Sequence, residues 1–309
     1  MAMRLGLGEM LSAGPRAVGR YTGTLLTVFV VQSLIAVVCM IAIWFALVQA
    51  YSHLPMWDEA VDGDLVALVF CIRYGKASLL ASAGIMFGAV LLWEVVSWFV
   101  VGGVYGVLAQ RPEGRGETAR AFGASGASTF LAYARLALCS IPGWFIVMFV
   151  LLWGMSTFGS RIEHALTVPQ LVGPILLASL PAAFLLHILW TITDYARVEL
   201  TLRQDTHEPS VVMTYLRTVA FVLKRPLTLA HGGLGWLAFA IITVGYAYLA
   251  QGHPMYGAEG AVTLFVIRQG ISLARAAIRF GVLAGQLELG KTRPLPPRRV
   301  EAKVEAKKA

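Results

Sequence analysis

Long apolar runs separated by short polar segments are the main pattern of this chain. A helix needs roughly 20 apolar residues to cross the ~30 Å hydrocarbon core of a bilayer. Six runs approach that length: Leu25–Val48, Leu79–Gly103, Leu136–Trp153, Leu171–Ile192, Gly232–Leu249 and Val262–Leu287. The shorter apolar stretch Val66–Cys71 is assigned to the membrane interface or to the lead into the second helix. The pattern predicts an all-α polytopic membrane protein whose six transmembrane helices occupy residues 1–290.

Composition excludes an ordinary soluble protein. Of the 309 residues, 58% are hydrophobic and only 14% are charged, whereas a soluble domain has about 25% charged residues. The three cysteines, Cys39, Cys71 and Cys139, show no CxxC spacing and predict neither a disulfide framework nor a zinc site. The chain contains no HExxH, GxSxG, Walker or GxGxxG motif. We therefore expect no catalytic residues, no metal and no cofactor, and we expect that the protein is not an enzyme.

The distribution of basic residues predicts the orientation in the membrane. Lys and Arg outside the spans number 19 in the N-terminal segment, the second and fourth loops and the tail, against 3 in the other loops. This asymmetry predicts that both termini are cytoplasmic. It also accounts for the net charge of +8 without nucleic acid as a partner. Residues 291–309 combine Pro, Lys, Arg and Glu, which is typical of a disordered basic tail.

Short basic stretches precede the odd-numbered spans. They are Met10–Tyr21, Thr118–Arg135 and Val211–Arg225. Each is weakly amphipathic, as an interfacial helix would be. The chain can therefore be divided into three tandem units, each an interfacial helix followed by a helical hairpin. The same rhythm is expected of any six-span protein with basic cytoplasmic loops, and both interpretations stay open.

One segment carries a resemblance to known proteins. Asp194–Asp205 reads DYARVELTLRQD and is followed by a basic stretch that ends in FVLKRP. This element resembles one in uncharacterised six-span bacterial inner-membrane proteins, whose general plan is similar to that of the YciC-type membrane proteins. The resemblance implies the topology and the bacterial membrane. It implies no reaction and no catalytic residues.

The sixth span carries a polar stripe. Its members recur at intervals of 4, 3, 4 and 7 residues and are Arg268, Ser272, Arg275, Arg279 and Gln286. At 100° per residue they stay within about 40° of one line. Because a charged arginine near the bilayer centre costs at least about 2.5–3.5 kcal/mol, the stripe must face the bundle interior, a water-filled cleft or an anionic partner.

Similar depths in the second, fourth and sixth helices add two residues to this site. We predict a buried Glu94–Arg275 ion pair with His187 nearby. The functional interpretation is that the surplus arginines hold an anion or a lipid phosphate. The structural alternative is an ion pair that only fixes helix packing, with Arg279 reaching towards the cytoplasmic headgroups.

Three further patterns concern packing and surface charge. Gly84, Gly88, Gly102 and Gly106 form two GxxxG pairs on one helix face, which predicts close helix packing. Asp194, Arg197, Glu199 and Arg203 are interpreted as a solvated charge network at the membrane interface. Aromatic residues near span ends, Tyr105 among them, suit an aromatic belt.

Two functions are compatible with these patterns. The first is a non-enzymatic inner-membrane protein that binds membrane lipids, anionic ones in particular, or assists another protein complex. The alternative is a transporter or permease for a small anion or amphiphile, which would pass through a cleft between the even-numbered helices.

The six-span topology predicts where a residue between the last two spans lies. A cysteine that replaces Gly257, in a background lacking Cys39, Cys71 and Cys139, should react with a membrane-impermeant maleimide only from outside the cell. Labelling only from the cytoplasmic side would contradict the topology.

Overall fold

The architecture is taken from a computed structural model of the chain. The structure describes residues 6–61, 64, 66–67, 70–71, 76–164, 168–203, 210–251 and 258–292. Outside the described residues lie Gly257 between the last two predicted spans, Asp205 of the DYAR element and residues 293–309 of the predicted tail.

Every regular element in the described part of the chain is an α-helix, which confirms the predicted all-α class. The helices are α1 Leu7–Arg20, α2 Thr22–Tyr51, α3 Trp57–Val61, α4 Lys76–Gln110, α5 Arg115–Glu163, α6 Val168–Leu202, α7 Val211–Lys224, α8 Pro226–Gln251 and α9 Ala258–Lys291.

Five segments in the described residues are long and apolar enough to cross a membrane. They are Thr22–Gln49, Gly84–Gln110, Arg115–Ile162, Val172–Leu202 and Pro226–Leu249. Each contains or overlaps one of the first five predicted spans, so the chain has the helices of a multi-pass membrane protein. The sixth predicted span lies within α9, which is about 51 Å long at 1.5 Å per residue but is not among the five. The arginines of the stripe lower the mean hydropathy of α9. That α9 crosses the membrane stays a prediction.

The chain divides into two compact units, Met1–Leu25 with Trp98–Ala309, and Leu26–Ser97. In the larger unit α5 packs along α6, α1 packs on α9, and α8 packs on α9. Helix α6 also contacts α7, α8 and α9, which makes it the central helix of this unit. In the smaller unit the ring of Trp57 stacks on Tyr51 at a centroid distance of 5.8 Å, which fastens α3 to the end of α2.

The junctions between short and long helices bear on the predicted repeat. Helix α1 breaks at Tyr21 before α2, and α7 breaks at Arg225, where φ is −128° and ψ is 88°. The second break has a local cause, because Pro226 disfavours a helical conformation in the residue before it. In contrast, α5 runs unbroken over 49 residues, so Thr118–Arg135 is helical and continues directly into the third predicted span. The arrangement in three like units stays a prediction.

The two GxxxG pairs differ in what they meet. A Cβ atom on Gly102 would overlap the side chain of Thr129, and one on Gly106 would overlap Ser125, both on α5. Among the described residues nothing lies within 4 Å of a Cβ on Gly84 or Gly88. Close packing is therefore seen for the second pair, and for the first pair it stays a prediction.

Substitution of these glycines by alanine should separate the two pairs. Gly106→Ala forces α4 and α5 apart and should cost about 1–3 kcal/mol of stability, whereas Gly88→Ala should be neutral or gain up to about 1 kcal/mol from helix propensity. The midpoint of thermal unfolding in detergent measures the difference. Equal midpoints for the two variants would contradict the packing described for Gly106.

Candidate functional site

A buried carboxylate on α6 is the centre of the polar interior. Asp194 has a 5% exposed side chain, and its two oxygens accept hydrogen bonds from Arg279 on α9, with Nη1 to Oδ2 at 2.7 Å and Nη2 to Oδ1 at 2.8 Å. This two-pronged geometry suits a planar guanidinium and a carboxylate, and it combines charge attraction with fixed orientation. The contact neutralises both charges, with the Asp194 carboxylate buried and the Arg279 guanidinium on a partly exposed side chain.

Gln286 also bonds to this carboxylate, and Tyr105 bonds to Gln286. Gln286 donates from Nε2 to Oδ2 of Asp194 at 3.2 Å, and its own Oε1 accepts from the hydroxyl of Tyr105 at 3.2 Å. Tyr105 lies on α4 and is fully buried. The interpretation of Tyr105 as part of an aromatic belt is therefore wrong. The Tyr105 hydroxyl is also within 3.5 Å of the backbone carbonyl oxygen of Asp194. Because Gln286 lies on α9, the helices α4, α6 and α9 meet at this point.

A second tyrosine joins α5 to the same place. The hydroxyl of Tyr133 donates to the carbonyl oxygen of Arg197 at 3.1 Å and lies 2.6 Å from the hydroxyl of Thr201. The Arg197 guanidinium lies over the Tyr133 ring, 5.7 Å from its centroid, and 3.9 Å from Asp194 Oδ1. We call Tyr105, Tyr133, Asp194, Arg197, Arg279 and Gln286 the Asp194 cluster. It ties four helices together.

The charged segment of α6 is buried rather than solvated. All ten residues from 191 to 200 are buried, and the Glu199–Arg203 ion pair, one turn further along α6, has side chains only 4% and 6% exposed. Within the predicted network the contact between Asp194 and Arg197 is present, but the predicted exposure to solvent is wrong. The cause is tertiary: α5, α7, α8 and α9 pack around α6.

The arginine stripe of α9 divides among different environments. Arg279 pairs with Asp194, so it does not extend to the headgroups as the alternative interpretation supposed. Arg275 donates from Nη2 to the hydroxyl of Thr243 on α8, while Arg268 is exposed and Ser272 is partly buried. One face of α9 thus carries two arginines that bond to other helices and one arginine that is exposed.

The other two residues predicted near the stripe belong to different units. The Nε2 atom of His187 lies 3.1 Å from the carbonyl oxygen of Leu229 on α8. Glu94 belongs to the smaller unit, Leu26–Ser97, and its pairing with Arg275 stays a prediction. Among the described residues no group of three or more His, Cys, Asp or Glu side chains could hold a metal ion.

Sequence reasoning missed Tyr105 and Tyr133 as members of the cluster. A tyrosine at the end of an apolar run fits an aromatic belt as well as a buried hydrogen bond. A signal was present in the carboxylate itself, because an acidic residue at the end of a predicted span requires a partner when it is buried.

Comparison with known proteins gives no assignment: no family model, no curated protein and no solved structure matches the chain. The resemblance to YciC-type proteins stays a prediction, and the functional argument depends on the structure of this chain.

The Asp194–Arg279 pair gives a testable prediction. Asp194→Asn keeps the shape of the side chain but leaves Arg279 without its counter-charge. The expected loss is about 3 kcal/mol, at the low end of the range for a buried pair, because the Arg279 side chain is 40% exposed. Thermal unfolding in detergent measures it.

Glu113→Gln, the same chemical change at an exposed position of the chain, serves as the control and should leave stability unchanged. A double-mutant cycle with Arg279→Gln should give a coupling of about 0.5–3 kcal/mol. A coupling near zero would contradict the pairing.

Proposed function

We propose that this chain is a non-enzymatic, multi-pass protein of the bacterial inner membrane that associates with anionic lipids at its cytoplasmic face, with both termini cytoplasmic. A supporting role in a larger membrane complex is part of this proposal. The observation that carries it is the distribution of basic side chains between the interior and the surface.

Nearly all described basic residues in the predicted cytoplasmic segments are exposed. They are Arg16, Arg20, Arg111, Arg115, Arg120, Arg135, Arg217, Lys224 and Arg225. Such residues next to a membrane span are attracted to anionic lipid by about 1 kcal/mol each near the surface. The exceptions, Arg197 and Arg203, are buried against Asp194 and Glu199. Exposed cationic charge is therefore concentrated where the cytoplasmic headgroups would lie.

The interior supports a scaffold more than a permeation path. A permease of the alternative kind needs a polar route between α4, α6 and α9, the even-numbered predicted spans. Where the end of α4 within the larger unit meets α6 and α9, the side chains of the Asp194 cluster bond to one another. Opening a route there would break an ion pair and two hydrogen bonds, so we favour lipid association over transport.

Lipid association is tested by native mass spectrometry of the protein released from nanodiscs that contain phosphatidylglycerol and phosphatidylcholine. We expect wild type to retain phosphatidylglycerol in preference to phosphatidylcholine, and we expect this preference to fall as salt screens the surface charges. Arg275→Ala tests whether the stripe contributes. Equal retention of both lipids by wild type would contradict the proposal.

Liposome flux assays address the alternative. We expect no movement of small anions beyond that of protein-free liposomes. Flux that disappears in Arg275→Ala would favour the permease.

A further inference from the structure

A cleft of about 380 Å³ lies in the larger unit, between α1, the end of α4 and the end of α9. Its charged lining comes from all three helices and consists of Glu9, Arg16, Arg20, Arg111 and Glu288. None of these residues belongs to the Asp194 cluster or to the arginine stripe. The sequence analysis counted these arginines only as signals of membrane orientation.

The cleft has a surplus of positive charge. Three arginines line it against two glutamates, and both glutamates already have partners. Glu9 Oε2 accepts from the backbone nitrogen of Gly6 at 3.1 Å, and Glu288 Oε1 accepts from Arg111 and from Lys291, each at 2.9 Å. Arg16 and Arg20 are exposed and face no carboxylate among the ion pairs of the described residues.

The ionisation state of the Glu288 carboxyl is consistent with a positively charged cleft. Burial raises the pKa of the Glu288 carboxyl, but the hydrogen bonds and charges of Lys291 and Arg111 outweigh burial and hold the pKa below its ordinary value. Glu288 therefore stays ionised at neutral pH, and it fixes Arg111 and Lys291 at the rim of the cleft.

The backbone at Arg111 is held in an unusual conformation. Its φ is 53°, in the left-handed region that favours glycine. This residue directly follows α4, a position where glycine commonly ends a helix. The conformation turns the Arg111 carbonyl oxygen towards Arg20, whose Nη2 lies 3.5 Å away. An arginine occupies a position where glycine would be less strained, and its side chain contacts Glu288 in the cleft.

Apart from Tyr21, the remaining residues that line the cleft are apolar. Ala13 and Ala17 of α1, Leu108 of α4 and Leu287 of α9 line it together with the charged residues. A site that combines an apolar wall with arginines suits an amphiphile better than a free inorganic anion, because the hydrocarbon part gains from burial.

The cleft also lies at the level of the ends of two spans. Arg111 directly follows the apolar segment Gly84–Gln110, and Arg20 and Tyr21 directly precede Thr22–Gln49. Phosphate groups of a bilayer lie just outside its ~30 Å hydrocarbon core, at the level where such segments end. The charge surplus, the apolar wall and this level all match a phospholipid headgroup.

We propose that the cleft between α1, α4 and α9 binds the phosphate group of a membrane phospholipid, with Arg16, Arg20 and Arg111 as its ligands. Guanidinium groups bind phosphate oxygens in pairs of parallel hydrogen bonds, and three of them can surround one phosphodiester. The inference rests on the proposed lipid association and names the site at which one lipid is held.

Three variants test the site, with phosphatidylglycerol in nanodiscs as the probe and the number of lipids retained per protein in native mass spectrometry as the readout. Arg20→Ala and Arg111→Gly should each lower the affinity for the retained lipid about tenfold, the loss expected for one charged hydrogen-bonded ligand. Arg161→Ala removes the same charge from an exposed position outside the cleft and should retain the lipid as wild type does.

Arg111→Gly separates binding from folding. Glycine relieves the left-handed backbone, and the lost ion pair with Glu288 is a surface pair of small value. The midpoint of thermal unfolding in lipid-free detergent should therefore stay level or rise while lipid retention falls. A fall in both would indicate a structural role for Arg111 and would overturn its assignment as a ligand.

The source of the phosphate is tested in the same preparation. Millimolar inorganic phosphate should neither displace the retained lipid nor raise the unfolding midpoint of wild type in lipid-free detergent. If it does either, the ligand is a soluble anion and the lipid assignment is overturned. If wild type retains phosphatidylglycerol and both cleft variants retain it equally, the site is wrong but the proposed function stands. If wild type retains no anionic lipid, both proposals fail.

Discussion

The pairing of Asp194 with Arg279 is the interaction on which the rest of the larger unit depends. A single ionised side chain in the interior of a membrane protein is costly, and two opposite charges in bidentate contact remove most of that cost. The oxygens of Asp194 meet Arg279 and Gln286 on α9, and the Asp194 carbonyl oxygen lies beside the hydroxyl of Tyr105 on α4. The pair therefore specifies the partners of α6 as well as stabilising them.

The same pairing fixes the position of α9 along α6, and through α9 it shapes the cleft. With Arg279 and Gln286 held on the cluster, Leu287 and Glu288 are placed in the cleft beside α1. Gly14 of α1 and Gly281 of α9 pack with almost no gap, since a Cβ on Gly14 would lie 3.1 Å from the Gly281 Cα. A shift of α9 by one turn, about 5.4 Å, would separate the cluster and the cleft together.

Arginine has three physical roles in this chain. Inside the larger unit, Arg279 and Arg203 neutralise buried carboxylates. On the surface, exposed arginines such as Arg20 and Arg115 lie next to the apolar segments. In the cleft, Arg111 has a left-handed backbone conformation and contributes to the surplus of positive charge. Residue type alone does not separate these roles, because each depends on which helix the guanidinium meets.

The sequence by itself determined the helical class, the approximate position of five apolar spans and the charge asymmetry of the loops. These properties depend on the local composition of each segment, because a bilayer selects helices by length and hydropathy. The tertiary structure alone decided that Asp194 meets Arg279, 85 residues away, that residues 191–200 are buried, and that α5 continues without a break. Those outcomes depend on the register between helices, and polar residues at a span end have the same pattern whether water or another helix covers them.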